Sequence, residues 1–293
     1  MVQRPASVAG RTDRRQRVTS GIDWAAHSGD TWTRRWRETD AGLAELGAEL
    51  DSALLEAAPG GPFRALDIGC GPGTTSGQLA RARPDATIVA CDISPSLVRL
   101  ARERLGALDH VQVVLGDAEE VAGTEAPFDL IFSRHGVMFF DDPIRAFRSF
   151  RAAAAPGATL VFSCFQDWEL NAWASELSVA AAGRPLPSPG KEPSGFAFAD
   201  PEYVQQILHS AGWSRADARS IHFRYVAAEG EGAVERALDY LAEIGPAARL
   251  ILDLPEQERD AALARMRHVI ERYRDRDKVE FPAVAWIWRA NAS

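Results

Sequence analysis

Five short apolar runs, at 64–68, 87–91, 111–115, 128–133 and 158–164, recur along the chain, with helix-like stretches between them. Runs of this length, bounded by turn residues, read as buried strands. Their alternation with helices predicts a parallel sheet covered on both faces. Ser94-Pro95 and Asp142-Pro143 each supply an N-cap and a proline at the first helical position, and Pro156-Gly157 stops the helix before the fifth strand. Upstream, residues 23–57 predict a helix whose apolar stripe is Leu43, Leu46, Leu50 and Leu54. Trp24, Trp32 and Trp36 make that segment unusually aromatic, which suits either a cover for the sheet edge or a cap over a ligand. Pro59-Gly60-Gly61-Pro62 ends it.

The second half is less regular. Residues 168–182 predict a helix carrying Trp168, Trp173 and Leu177. The loop Gly183–Gly195 follows, punctuated by Pro185, Pro187, Pro189 and Pro193; long loops of this kind are usually lids, binding loops or unstructured. Asp200-Pro201 starts another helix, and Ile221, Phe223 and Tyr225 alternate as a strand. Residues 231–275 predict helices, the mixed charges of 271–278 reading as a solvated helix end, and Val279 to Trp288 predicts a last strand.

Between the first strand and its helix lies Leu66-Asp67-Ile68-Gly69-Cys70-Gly71-Pro72-Gly73. Alternate glycines let the backbone turn sharply and leave nothing between it and a ligand. The helix that follows offers free N–H groups to negative charge. Asp67 ends the strand, and Asp92 ends the next, roughly 20 residues past the turn, the distance at which an acid meets a ribose hydroxyl in doubly wound sheets. Asp117 stands after the third strand. Each acid also suits an N-cap or a turn.

Asp67-x-Gly69-x-Gly71-x-Gly73 resembles motif I of class I S-adenosylmethionine-dependent methyltransferases of small-molecule type, the resemblance covering about 63–165. A dinucleotide G-x-G-x-x-G fits less well, because its third glycine falls on Thr74. The resemblance implies an α/β fold: a doubly wound, mostly parallel seven-stranded sheet with the last strand antiparallel, an N-terminal helical cap at 21–58, a lid at 166–200 and a helical insertion at 231–275. It implies S-adenosylmethionine as cofactor, held by Asp67, Gly69, Cys70, Gly71 and Gly73, with Asp92 on the ribose, Ile93 against the adenine, Asp117 and Ala118 at the adenine amine, and Ser133 at the strand end facing the methyl donor. The chemistry suits these residues, since a carboxylate can accept both vicinal hydroxyls or an exocyclic amine.

Composition narrows the partners. The 293 residues are 46% hydrophobic and 25% charged, ordinary for a globular protein, and the net charge of −8 disfavours binding to a nucleic acid backbone. Three scattered cysteines and six histidines form no metal pattern, so no metal is expected. No apolar run is long enough for a bilayer, so neither a membrane nor a nucleic acid is an expected partner. A cytoplasmic location follows as an expectation. The arginine-rich residues 1–20 show no apolar face and predict a disordered tail.

The expected reaction is methyl transfer to oxygen, nitrogen or carbon of a small acceptor. His135, just past the fourth strand, is the candidate base, with packing as its other use. Arg134 is a candidate for holding an acidic group or a surface salt bridge. Trp168, Trp173, Phe196 and Phe198 are candidates for lining an apolar acceptor pocket, or for sealing the lid's own core. A nucleotide-dependent oxidoreductase and a non-catalytic S-adenosylmethionine-binding module are the alternatives.

Overall fold

The computed structural model describes residues 28–292. The expected tail 1–20 and Trp24 lie outside the described residues. The N-terminal segment forms α1 (Gly29–Arg34), α2 (Trp36–Gly42) and α3 (Ala44–Ala57). The predicted helical stretch is therefore divided into three segments at Arg35 and Leu43. At Gly42 a Cβ would stand 2.9 Å from the Tyr225 ring, so the glycine lets α2 pack directly on that ring.

The alternating core follows: β1 (Phe63–Ile68), α4 (Thr74–Ala82), β2 (Ala86–Asp92), α5 (Pro95–Leu105), β3 (Val111–Leu115), α6 (Ala118–Glu125), β4 (Phe128–Arg134), α7 (Pro143–Ala153) and β5 (Ala154–Phe165). Ser94, Asp117 and Asp142 each cap their helix with a side-chain oxygen. Then come α8 (Ala172–Ala182), α9 (Pro201–Ser210), β6 (Ser214–Glu229), α10 (Ala233–Leu241), α11 (Pro246–Asp253), α12 (Glu256–Arg272), β7 (Arg274–Asp275) and β8 (Lys278–Asn291). The expected solvated helix end at 271–278 is replaced by a hairpin, because Arg276 turns at positive φ and β7 pairs with β8.

Strand order is β3-β2-β1-β4-β5-β8-β6, with β7 off the path. Strands β1 to β5 pair in parallel, and β8 runs antiparallel between β5 and β6. The expected doubly wound, mostly parallel sheet is present, its seven-strand path extended to eight strands by the β7 hairpin.

The pleat divides the strands between two cores. Ala65, Leu130, Phe132 and Val161 face one side, with α3, α4, α8 and α10–α12. Leu66, Ile131, Leu160 and Phe162 face the other, with α7 and α9. Buried Asn171 joins α8 to the sheet: its Oδ1 accepts from the Val284 amide and its Nδ2 donates to the Val284 carbonyl. No described helix is long and apolar enough to cross a membrane.

Candidate active site

The carboxyl ends of β1, β2 and β4 meet at the glycine turn. Gly69, Gly71 and Gly73 have φ of 64°, 54° and 78°, a region other residues avoid. At Gly73 a Cβ would also strike Leu105 at 2.6 Å, whereas at Gly71 it would meet nothing within 4 Å. The turn is thus packed from below and open at its middle. Gly136 closes its far side, since a Cβ there would lie 2.7 Å from the Ile68 carbonyl and 3.4 Å from the Gly69 Cα. Gly136 escaped the sequence reading; a glycine directly after His135 was the available signal.

Both acids at the turn are buried. Asp67 accepts a 2.6 Å hydrogen bond from Ser76, and burial raises its pKa to about 7. Asp92 accepts from the Gly71 amide at 2.9 Å and the Ser94 amide at 2.8 Å, and burial raises its pKa too. It therefore braces the turn and keeps lone pairs for a ligand. Cys70 anchors the turn through its amide on the Cys91 carbonyl, and burial pushes its thiol well up, so it is a neutral filler. Ile93 is half-buried at the end of β2. Asp117 and Ala118 are half-buried after β3; Asp117 caps α6 through the Glu119 amide. Ser133 is buried, donates to the Ile68 carbonyl and accepts from the Gly136 amide, which fixes the β1–β4 junction.

Arg134 is engaged with Asp40 of α2 at 2.7 Å. Asp40 also accepts from Thr74 at 2.7 Å and pairs with Arg104, whose guanidinium lies over Trp36. This network ties the N-terminal helices across the carboxyl end of the sheet. Asp40 was not singled out in the sequence, because an acid in a helical stretch is usually solvated.

His135 has a positive φ of 58°. Its amide donates to the Ser163 carbonyl at 3.2 Å, and its Nδ1 lies 2.8 Å from Ser163 Oγ. Its Nε2 is sealed from solvent and has no hydrogen-bond partner. Burial, with Arg134 adjacent, lowers its pKa to about 3, so the ring is neutral at working pH. Against its edge stands Phe165, with centroids 4.2 Å apart, and Phe165 in turn meets Trp173 and Phe196. Trp168 meets Phe196 edge-on, and Trp173 stacks on Tyr225. Beside this chamber a cavity of about 270 Å³ is lined by Trp168, Leu170, Ser188, Pro189 and Phe196, among others. Trp168, Trp173 and Phe196 are thus brought together near His135. Phe198 is not among them: it packs on the opposite face of the sheet with Phe147 and Phe162.

The residues present fit S-adenosylmethionine, because the glycine turn is open at Gly71 and flanked by buried acids with spare acceptor sites. Among the described residues no cluster of potential metal ligands occurs.

A family profile described as a methyltransferase domain matches residues 66–162. The malonyl-[acyl-carrier protein] O-methyltransferase of Methylococcus capsulatus is 30% identical over 213 residues, covering 67% of this chain and 73% of that protein. In fold, the chain resembles Haemonchus contortus phosphoethanolamine N-methyltransferase 2, solved with S-adenosyl-L-methionine: TM-score 0.51, 16% identity, 91% of this chain and 60% of that one. The [4+2]-cyclase SpnF is similar as well, with TM-score 0.51, 21% identity and coverage of 83% and 80%. A shared fold alone therefore does not fix the reaction. Sequence relationship and motif together do fix the class: this chain belongs to the class I S-adenosylmethionine-dependent methyltransferases.

Proposed function

We propose that this methyltransferase acts on an oxygen of a small acceptor, held in the aromatic chamber beside His135. The observation that carries this reading is the seam between chamber and turn: His135 joins Gly136, which packs on Gly69, to the ring cluster Phe165, Trp173 and Phe196. An acceptor in the chamber would border the cofactor at that seam.

When bound, S-adenosylmethionine supplies an activated methyl group on a sulfonium. Asp92 and the glycine turn would hold it, with Asp67 behind the turn and Ile93, Asp117 and Ala118 at the adenine end. Ser133 keeps β1 and β4 in place. The protein's remaining task is alignment of the acceptor and exclusion of water. Residues 166–200 act as the lid: Trp168 and Phe196 lie over the end of β5, and the Ser194 amide reaches the Met138 carbonyl after β4. The insertion 231–275 and residues 28–58 of the cap complete the roof, clasped where Arg35 meets Glu243 at 2.7 Å. Three free, buried cysteines suit a reducing, cytoplasmic setting.

The similarity to malonyl-[acyl-carrier protein] O-methyltransferases supports a second reading, an acceptor delivered on a carrier protein. The rings of Trp168 and Phe196, which line the cavity together with Asp167 and Glu169, suit a free aromatic acceptor. Labelled S-adenosylmethionine incubated with cell extract, and in parallel with a malonyl-carrier protein, separates the two. Label in a small extractable product is expected. Label on the carrier alone would establish the second reading, and label on RNA, DNA or a folded protein would remove the small-molecule claim. Shortening 185–194 should change turnover or acceptor range while cofactor affinity stays within about twofold, since the loop lies outside the glycine turn. Unchanged turnover on every acceptor would remove the lid.

A further inference from the structure

We infer that Ser163 makes His135 a hydrogen-bond donor rather than a base, and that His135 and Trp173 form a neutral donor pair for an acceptor oxygen that only receives hydrogen bonds, as in a carboxylate. The inference rests on the chamber being the acceptor site. Four buried side-chain polar atoms among the described residues have no partner, and two of them, His135 Nε2 and Trp173 Nε1, belong to rings that both touch Phe165. Unpaired polar atoms in a core cost stability and are uncommon, so two in one cluster call for a ligand.

The proton's position follows from counting partners. Ser163 Oγ has one side-chain contact, with His135 Nδ1. If Nδ1 carries the proton, it donates to Ser163, and both the serine hydroxyl hydrogen and Nε2 go unpaired. If Nε2 carries it, Ser163 donates to Nδ1, and the Nε2–H alone is unsatisfied. The second arrangement leaves fewer buried groups unpaired and is the favoured tautomer. Trp173 Nε1–H can only donate. The left-handed backbone of His135, pinned by its amide on the Ser163 carbonyl, holds the ring in this setting. An alcohol needing a base would find no pyridine-like nitrogen here; a carboxylate or enolate oxygen needs none and would satisfy both donors.

The test uses the full chain labelled with ¹⁵N in histidine and tryptophan, saturated with S-adenosylhomocysteine, with benzoate and benzyl alcohol as probes. Long-range NMR correlation should place the His135 proton on Nε2 from about pH 5 to about pH 8. Ser163→Ala should move it toward Nδ1, and Ser163→Thr should restore it. Benzoate should shift both the His135 Nε2–H and Trp173 indole N–H signals and bind about tenfold tighter than benzyl alcohol. Trp173→Phe should remove most of that preference. A proton on Nδ1 in the wild-type chain, equal affinity for the two probes, or no shift of either signal would overturn the inference. Absence of S-adenosylhomocysteine binding would instead count against the functional reading beneath it.

Discussion

At the level of single residues, the site is a set of buried polar groups spending part of their capacity on the protein. Asp92 supports Gly71 and Ser94, and on the proposed function it would also hold the ribose. Asp92→Ala should weaken S-adenosylhomocysteine binding by ~1–3 kcal/mol, the cost of unpaired polar groups. Calorimetry checks this, and unchanged affinity would show that the ribose contact is misassigned. Asp67 behaves differently because its folded pKa is raised, to about 7, above the ordinary value of 3.8. The folded chain holds this proton more tightly than the unfolded chain, so the associated stability is full below about pH 4 and is lost as pH rises through 7. Asp67→Asn should therefore lose less stability between about pH 5 and about pH 8 than the wild type, measured by urea unfolding. Asp51, raised to about 6, adds the same slope to both proteins and does not affect the comparison. An identical slope in wild type and variant would show that Asp67 is ionised in the fold.

At the level of elements, the sequence was most legible where period and punctuation agreed. Strands β1 to β4 lie within a residue of the apolar runs, and the proline-marked starts of α5, α7 and α9 are real caps. Legibility failed where a distant contact decides. The need for glycine at 42 is set by Tyr225, far along the chain, and the start of β5 at Ala154, ahead of Pro156, by pairing with Phe128. Phe196 and Phe198 stand two residues apart and look equivalent in sequence, yet the fold sends them to opposite faces of the sheet. Asp40 is the other invisible case, since its partners come from α4, α5 and β4. Asp40→Ala should leave Arg134 and Thr74 without their acid and cost ~1–3 kcal/mol. It should also release α2 from the glycine turn. Urea unfolding and limited proteolysis near residues 36–42 should both register the change, and a variant matching the wild type in both would show that the network adds nothing.

On the scale of the whole molecule, the proposed function gives one half of the chain the cofactor and has the other enclose whatever is methylated. The first half was readable because a turn with three positive-φ positions demands glycines at fixed spacing. The second was not, because aromatic residues that seal a core and those that line a pocket are the same residue types, and an unsatisfied ring nitrogen such as that of His135 or Trp173 shows only in the folded chain. The hairpin of β6 and β8 joins the halves. Glu229 pairs directly with Lys278, and the Gly230 amide reaches the Asp277 carbonyl at 2.6 Å, so the segment α10–α12 leaves and re-enters the sheet at adjoining points. Chain entropy changes slowly with the length of what such a doorway encloses. The helices beyond it are in that sense a cassette: on the reading proposed above, exchanging them for others that bury the same face of the sheet should alter acceptor choice, by natural drift or by grafting, without re-solving the problem of holding the methyl donor.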